Sequence, residues 1–235
     1  MRFYKRLMPV KVLSFDLDDT LYDNVPVITA AETWLLTALK QQRPESTLLS
    51  KDNLAAIKRQ ILLIEPELGH DVSALRLRVL TQGLQQQGMQ VAAATALAEE
   101  FYQGFLTERS KINVPKTSHQ VLSELGQRYP LAVITNGNLP IERTALAPYF
   151  DTVLRAGVDG RMKPAPDMFY ALANQMKVKP AEILHIGDHI HTDVAGALHS
   201  GCQAIWLNDQ GRSAADLQSL PQVELERLEQ MLELL

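Results

Sequence analysis

Two rhythms of apolar and polar residues divide the chain. Near the N-terminus a short apolar run, VKVLSF, stops abruptly at Asp16-Leu17-Asp18-Asp19-Thr20. A run of that length built on Val, Leu and Phe predicts a buried strand. From about Asn24 to about Lys111 strand patterns vanish. Four helical patterns take their place: PVITAAETWLLTALKQQ, DNLAAIKRQILLIEPEL, DVSALRLRVLTQGLQQQG and VAAATALAEEFYQGFLTERSK. In the first, Val27, Ala31, Leu35, Leu36 and Leu39 recur as one apolar stripe. Asp71 is placed to cap the third helix and Gly88 to stop it. Four helices with short connections predict a small bundle.

From about Thr117 the texture alternates. TSHQVLSELGQRY precedes LAVIT, PIERTALAPY precedes DTVLRA, PAPDMFYALANQM precedes EILHIG, and HTDVAGALHSG precedes QAIWLN. Each pair is a helical pattern followed by a short strand pattern, which predicts a parallel sheet flanked by helices. From Val223 onward, Leu225, Leu228, Leu232 and Leu235 fall on one face of an expected final helix. The expected organisation is an α/β core over 1–22 and 114–235, interrupted by a helical insert over 23–113.

Composition narrows the partners. The 235 residues carry a formal net charge of -4 with no basic stripe, which argues against a nucleic-acid partner. No apolar run is long enough to span a bilayer. The basic start, MRFYKRLMPVK, lacks the apolar segment of a signal peptide. The single cysteine, Cys202, excludes an internal disulfide. A cytoplasmic protein is expected, with no membrane partner; nothing in the chain sets an oligomeric state.

The carboxylates after the first strand carry the chemistry. Ionised carboxylates at a buried strand end must be paired or must hold a metal, and that end of an α/β sheet is where ligands bind. One carboxylate can attack phosphorus and form an acyl phosphate; a second, protonated, can donate to the leaving alkoxide. A surface acidic turn is the bland alternative. A calcium loop fails, because Leu21 and Val27 stand where glycine and a bidentate Glu are needed.

Further along, Thr135-Asn136-Gly137-Asn138 ends a strand. It reads equally as a phosphate-holding turn or as an Asn-Gly hairpin. Lys163, before Pro164, is expected at a loop-to-helix junction, where an ammonium could neutralise phosphate oxygens; alone it would read as a solvated lysine. Asp188 and Asp193 follow a second strand and would complete an oxygen site for magnesium, although Asp193 also suits a helix N-terminus. His185, His189 and His191 lack the spacing of a zinc site.

Taken in order, FDLDDT, ITNG, GRMKP and IGDHIHTD resemble the motifs of the haloacid dehalogenase superfamily. The resemblance implies a doubly wound, Rossmann-like core with the first motif's strand in the middle and a helical cap inserted after it. It implies Asp16 as nucleophile and Asp18 as general acid, then base. Thr135 would bind the phosphoryl group and Lys163 would stabilise it. Mg2+ would be held by Asp16, Asp188 and the carbonyl of Asp18, with Asp193 a partner of the metal site. Thr20, Asn136, Gly137, Tyr22 and Asn24 are the candidates for substrate contact, Tyr22 and Asn24 at the entrance. The expected activity is that of a magnesium-dependent phosphatase on a small phosphorylated metabolite. MRFYKRL, LDDTLYDN and LRAGVDGRMKP are similar to a branch that hydrolyses flavin mononucleotide and a phosphorylated riboflavin precursor. A phosphomutase, or a phosphatase for sugar phosphates or nucleotides, would use the same residues. A dehalogenase would have no use for Asp18, since halide leaves without a proton. A non-catalytic binding module would not need every motif position filled. Arg76 and Arg78, on an expected cap helix, could meet a polar substrate or simply face water.

Overall fold

A computed structural model describes residues 1–42, 49–213, 215 and 219–234. Among these, seven strands form one sheet in the order β1-β7-β6-β5-β2-β3-β4. The strands are β1 (Arg2–Phe3), β2 (Val12–Phe15), β3 (Leu131–Thr135), β4 (Thr152–Arg155), β5 (Ile183–Gly187), β6 (Gln203–Leu207) and β7 (Val223–Leu225). Every pairing is parallel except that of β1 with β7. β2, β3, β5 and β6 are buried along their whole lengths, as a sheet covered on both faces requires. The expected α/β doubly wound core is the fold observed, with the first motif's strand, β2, between β3 and β5.

Two compact units divide the chain. One comprises Met1–Asp23, Asn113–Gly137 and Ile141–Leu235; the other comprises Asn24–Ile112 with Asn138–Pro140. The second unit is helical: α1 (Val25–Gln42), α2 (Lys51–Ile64), α3 (Val72–Gln85) and α4 (Val91–Arg109). Its core is aliphatic and aromatic, with Ala31, Leu35, Leu39, Leu80, Leu84, Ala98 and Phe105 all buried. Of the expected stripe on α1, Leu36 alone is only half-buried. Asp71 caps α3 by accepting from the N–H groups of Ser73 and Ala74 at 3.0 and 2.8 Å. Gly88 follows α3 with φ +81°, the conformation expected of a helix stop. No helix among the described residues is long and apolar enough to cross a membrane.

In the α/β unit, α5 (Lys116–Gly126) and α6 (Asp167–Met176) form where helical patterns were read, whereas three expectations change. PIERTALAPY makes two short 3₁₀ turns, Ile141–Arg143 and Ala147–Tyr149, rather than a helix. Pro148 inside the pattern removes a helical donor, which breaks the run. The expected C-terminal helix begins instead as a strand. Val223–Leu225 extends the sheet beside β6, and only Met231–Leu234 (α8) is α-helical. Alternating burial, with Val223 and Leu225 inside and Glu224 half-buried, is also a strand pattern that a leucine count overlooks. Leu235 lies outside the described residues. Lastly, HTDVAGALHSG does not start as a regular helix. A wide turn over Ile190–Ala195, in which Val194 N–H reaches the His189 carbonyl at 3.3 Å, leads into α7 (Gly196–His199).

Candidate active site

The site is assembled at the carboxyl ends of β2, β3 and β5, three adjacent strands. Asp16 directly follows β2, and its N–H is held by the Ile186 carbonyl at 2.9 Å. Lys163 comes from the loop after β4 and is almost wholly buried, at 1% exposure. Its Nζ donates to Asp16 Oδ1 at 2.7 Å and to the Ile134 carbonyl at 2.6 Å, and pairs with Asp193 Oδ1 at 2.6 Å. An ammonium has three hydrogens, and three acceptors take them. Lys163 therefore acts on the site as an anchored charge that orients Asp16. Asn136 grips the lysine's own backbone: its Oδ1 accepts from Lys163 N–H at 2.7 Å and its Nδ2 donates to the Lys163 carbonyl at 2.9 Å. The Asn136 side chain thus fixes the backbone of the lysine, with one Nδ2 hydrogen and its own N–H beyond these two bonds. Pro164 is not in the first turn of the following helix, as the Lys-Pro pair suggests, because α6 starts at Asp167.

Asp193 sits behind the lysine at 2% exposure. Its Oδ2 accepts the His189 N–H at 3.0 Å, and its Oδ1 also faces His185 Nε2 at 3.3 Å. A Cβ on Gly187 would lie 2.4 Å from the Asp193 carboxyl carbon, so only glycine lets this carboxylate approach the strand end.

Asp18 lies beyond the first turn, where Asp19 adopts a left-handed conformation at φ 59°. The Tyr22 hydroxyl donates to Asp18 Oδ1. A Cβ on Gly137 would lie 2.6 Å from Asp18 Oδ2, so the backbone of the β3 turn closes on this carboxylate. Tyr22, expected at the entrance, is instead buried at 3% exposure and positions Asp18. The Thr135 hydroxyl accepts the Gly137 N–H at 3.0 Å, which leaves its own hydrogen free to donate. This turn-and-threonine arrangement, with 3₁₀ turns after it and no partner strand running back, decides against an Asn-Gly hairpin. The Thr20 hydroxyl is buried without a protein partner among the described residues. Asn24 belongs to the helical unit, where its carbonyl accepts the Ile28 N–H at 2.9 Å.

Among the described residues one acidic cluster forms: Asp16, Asp188 and Asp193 offer carboxylate oxygens within 4.8 Å of one another. Asp18 is not in it. Burial pushes Asp16 well above the usual carboxylate range against the pull of Lys163, with Asp193 and Asp18 adding to the rise. Burial, then Asp193 and Asp19, lift Asp188 to about 7, although the Arg212 guanidinium stands 3.8 Å away. Asp193 is held low despite burial, because Lys163 and His185 face it. Burial opposes the charge on Lys163 too, yet Asp16 and Asp193 outweigh it and raise its pKa. One ammonium thus serves two of three crowded carboxylates, and the third is left short of positive charge. An all-oxygen donor set in that condition fits a hard divalent cation such as Mg2+. His189 and His191 lie on the exposed turn after β5, apart from this cluster, as a loop reading expects and a zinc site does not.

Sequence reasoning missed two groups. Ser14 and His185 are fully buried strand residues, register partners across β2 and β5. The signal was present: each is a polar residue two places before the strand-end motif, on the face of Asp16 and Gly187 by the two-residue period. Asn208 and Arg212 were the second miss. Asn208 grips the Arg212 backbone by the same two bonds that Asn136 makes to Lys163, at 2.7 and 2.9 Å. Arg76 and Arg78 meet carboxylates of their own unit, Glu32 at 2.9 Å and Glu65 at 3.5 Å.

Comparison with known proteins shows the family. The model of the haloacid dehalogenase-like hydrolase family matches residues 10–201. The chain is 40% identical over 231 residues to 5-amino-6-(5-phospho-D-ribitylamino)uracil phosphatase YigB of Escherichia coli, covering 97% of each. It is 29% identical to human N-acylneuraminate-9-phosphatase, covering 87% of this chain and 85% of that one. A crystal structure of 2-haloacid dehalogenase from Pseudomonas syringae superposes with a TM-score of 0.91 at 37% identity, covering 95% of this chain and 97% of the other.

Proposed function

Because the chain belongs to the haloacid dehalogenase-like hydrolase family, we propose that it is a magnesium-dependent phosphatase working through an aspartyl phosphate on Asp16. The observation that carries this reading is the pairing of two carboxylates in different settings. Asp16 is locked to Lys163, while Asp18 accepts from the Tyr22 hydroxyl. The first suits a nucleophile and the second a proton carrier. Asp16 and Asp188, with the Asp18 carbonyl, would hold Mg2+. When bound, the ion supplies positive charge to the phosphoryl oxygens and to the crowded carboxylates. Asp193, whose oxygens are taken by Lys163, His185 and the His189 N–H, serves as the lysine's anchor.

In the first step an Asp16 oxygen bonds to phosphorus as the ester P–O bond breaks, and protonated Asp18 gives its proton to the leaving alkoxide. In the second step water attacks the phosphorus of the acyl phosphate and yields its proton to Asp18. The P–O bond to Asp16 then breaks, and phosphate and the free carboxylate are restored. The Thr135 hydroxyl and the backbone of Asn136 would hold phosphoryl oxygens, where a transferring group needs fixed donors.

The substrate we favour is flavin mononucleotide or a phosphorylated riboflavin precursor. Likeness to YigB over nearly the full length supports it. Phosphate release measured over a panel of flavin mononucleotide, the ribitylamino-uracil phosphate, sugar phosphates and nucleotides tests it. A kcat/KM for sugar phosphates above that for the flavin compounds would overturn the assignment.

Dehalogenation is the second reading, favoured by the similar structure of a 2-haloacid dehalogenase. Halide departs unprotonated, so that reaction leaves Asp18 and its tyrosine clamp without employment. Halide release from a 2-haloalkanoic acid, with no phosphate release from any ester, would favour it over the phosphatase.

A further inference from the structure

One buried polar group has no part in the steps above. His185 on β5 and Ser14 on β2 are both at 0% exposure, in a core whose neighbours are Val12, Ile183 and Phe169. The Phe169 ring meets the imidazole edge-on, with centroids 5.1 Å apart. An aliphatic pair would pack there without the desolvation that buried polar atoms incur. Instead the two side chains bond to each other, Ser14 Oγ to His185 Nδ1 at 2.9 Å, and the other ring nitrogen turns to Asp193.

We propose that His185, backed by Ser14, is a positioning residue that sets Lys163 against Asp16 through Asp193. The proposal rests on the phosphatase reading above. Its chain of contacts runs Ser14 Oγ to His185 Nδ1, His185 Nε2 to Asp193 Oδ1, Asp193 Oδ1 to Lys163 Nζ, and Lys163 Nζ to Asp16 Oδ1. The chain also assigns the tautomer. Asp193 is an acceptor, so Nε2 must carry the hydrogen; Nδ1 is then a lone pair, and the Ser14 hydroxyl donates to it. Asp193 Oδ1 therefore receives two donors, the lysine and the imidazole, while Oδ2 receives the His189 N–H. Three donors around one carboxylate fix both its plane and its position. Without the imidazole donor the carboxylate can rotate, and Lys163 loses its fixed distance to the nucleophile.

Two isosteric replacements separate positioning from packing. A glutamine amide reaches the place of Nε2 and can donate to Asp193; an asparagine amide reaches only the place of Nδ1 and can satisfy Ser14. His185→Gln is expected to retain kcat within about threefold, and His185→Asn to lose roughly tenfold or more in kcat with KM little changed. Both are read with the best phosphate ester of the panel at saturating magnesium, with thermal melting as the control for folding. Nitrogen-15 NMR of the metal-free protein is expected to show His185 as the neutral Nε2–H form. Equal kcat loss in both variants, a loss that merely tracks melting temperature, or an Nδ1–H signature would overturn the positioning role alone. Absence of phosphate release by the unaltered chain would overturn the phosphatase reading and this proposal together.

Discussion

The two units bury charge in opposite ways. Among the described residues, every buried polar or charged side chain except Arg109 belongs to the α/β unit. Lys163 there is at 1% side-chain exposure, with three acceptors: Asp16 after β2, the Ile134 carbonyl near the end of β3, and Asp193 in the turn after β5. Arg76 in the helical unit keeps 24% of its side chain exposed, pairs with Glu32 and lies 3.9 Å over the Phe105 ring. A cation left partly in water can do with one neighbour; a cation taken out of water needs acceptors or opposite charge close by. A fold gains little stability from such a buried pair relative to an apolar one. Its presence at a strand end therefore marks chemistry, whereas Arg76 marks packing.

The contrast can be broken at its centre. Asp16→Asn should lower phosphate release by at least about 10³-fold while the melting temperature is kept, since the amide is isosteric and Asp193 still pairs with Lys163. Turnover within tenfold of the unaltered chain would end the covalent mechanism. Lys163→Met should abolish activity and destabilise by about 3–5 kcal/mol, because it strands two buried carboxylates; denaturant unfolding measures this. In the helical unit a comparable loss needs a cavity instead of a charge. Leu84→Ala, at a fully buried position, should cost about 2–5 kcal/mol in the same unfolding experiment.

The metal provides a finer test. Asp188, lifted to about 7, carries a proton below that pH, and Mg2+ bound as proposed would displace it. Apparent magnesium affinity should therefore weaken as pH falls below about 7, by up to about tenfold per unit for one displaced proton, and level off above. Asp16, also raised by burial, shifts it the same way. Titration calorimetry on the metal-free protein reads this, and Asp188→Asn should remove most of the binding. The smallest effect belongs to Arg76→Met, at about 1 kcal/mol or less and no change in kcat, because its ion pair is half in water. A larger loss of kcat there would place Arg76 among the substrate contacts.

Much of this was legible before any coordinates. The helices of the insert follow from their apolar stripes and from Asp71 and Gly88 as punctuation. The central strands follow from short Val, Leu and Ile runs ending in Asp or Thr. Less legible were elements whose stability comes from neighbours. Val223–Leu225 is a strand because β6 and β1 supply its hydrogen bonds, and its leucines mimic a helix repeat. Tyr22 looked like an entrance residue because it follows the motif; its hydroxyl reaches back four residues to Asp18 only after the turn at Asp19 closes.

The residue types at the site, their order and their places at strand ends came from the chain alone, because periodicity and motif spacing are local properties. Which partner each charge takes was decided by tertiary structure. Asp193 suits a metal site or a helix start in the sequence, and the fold adds a partner the sequence does not show, a lysine 30 residues earlier in the chain. Asn136 follows a strand in the sequence, and only in the fold does its side chain grip the backbone of Lys163. Partner choice is a matter of distance in space and of which donors remain unanswered after burial, and neither quantity exists until the strands are side by side.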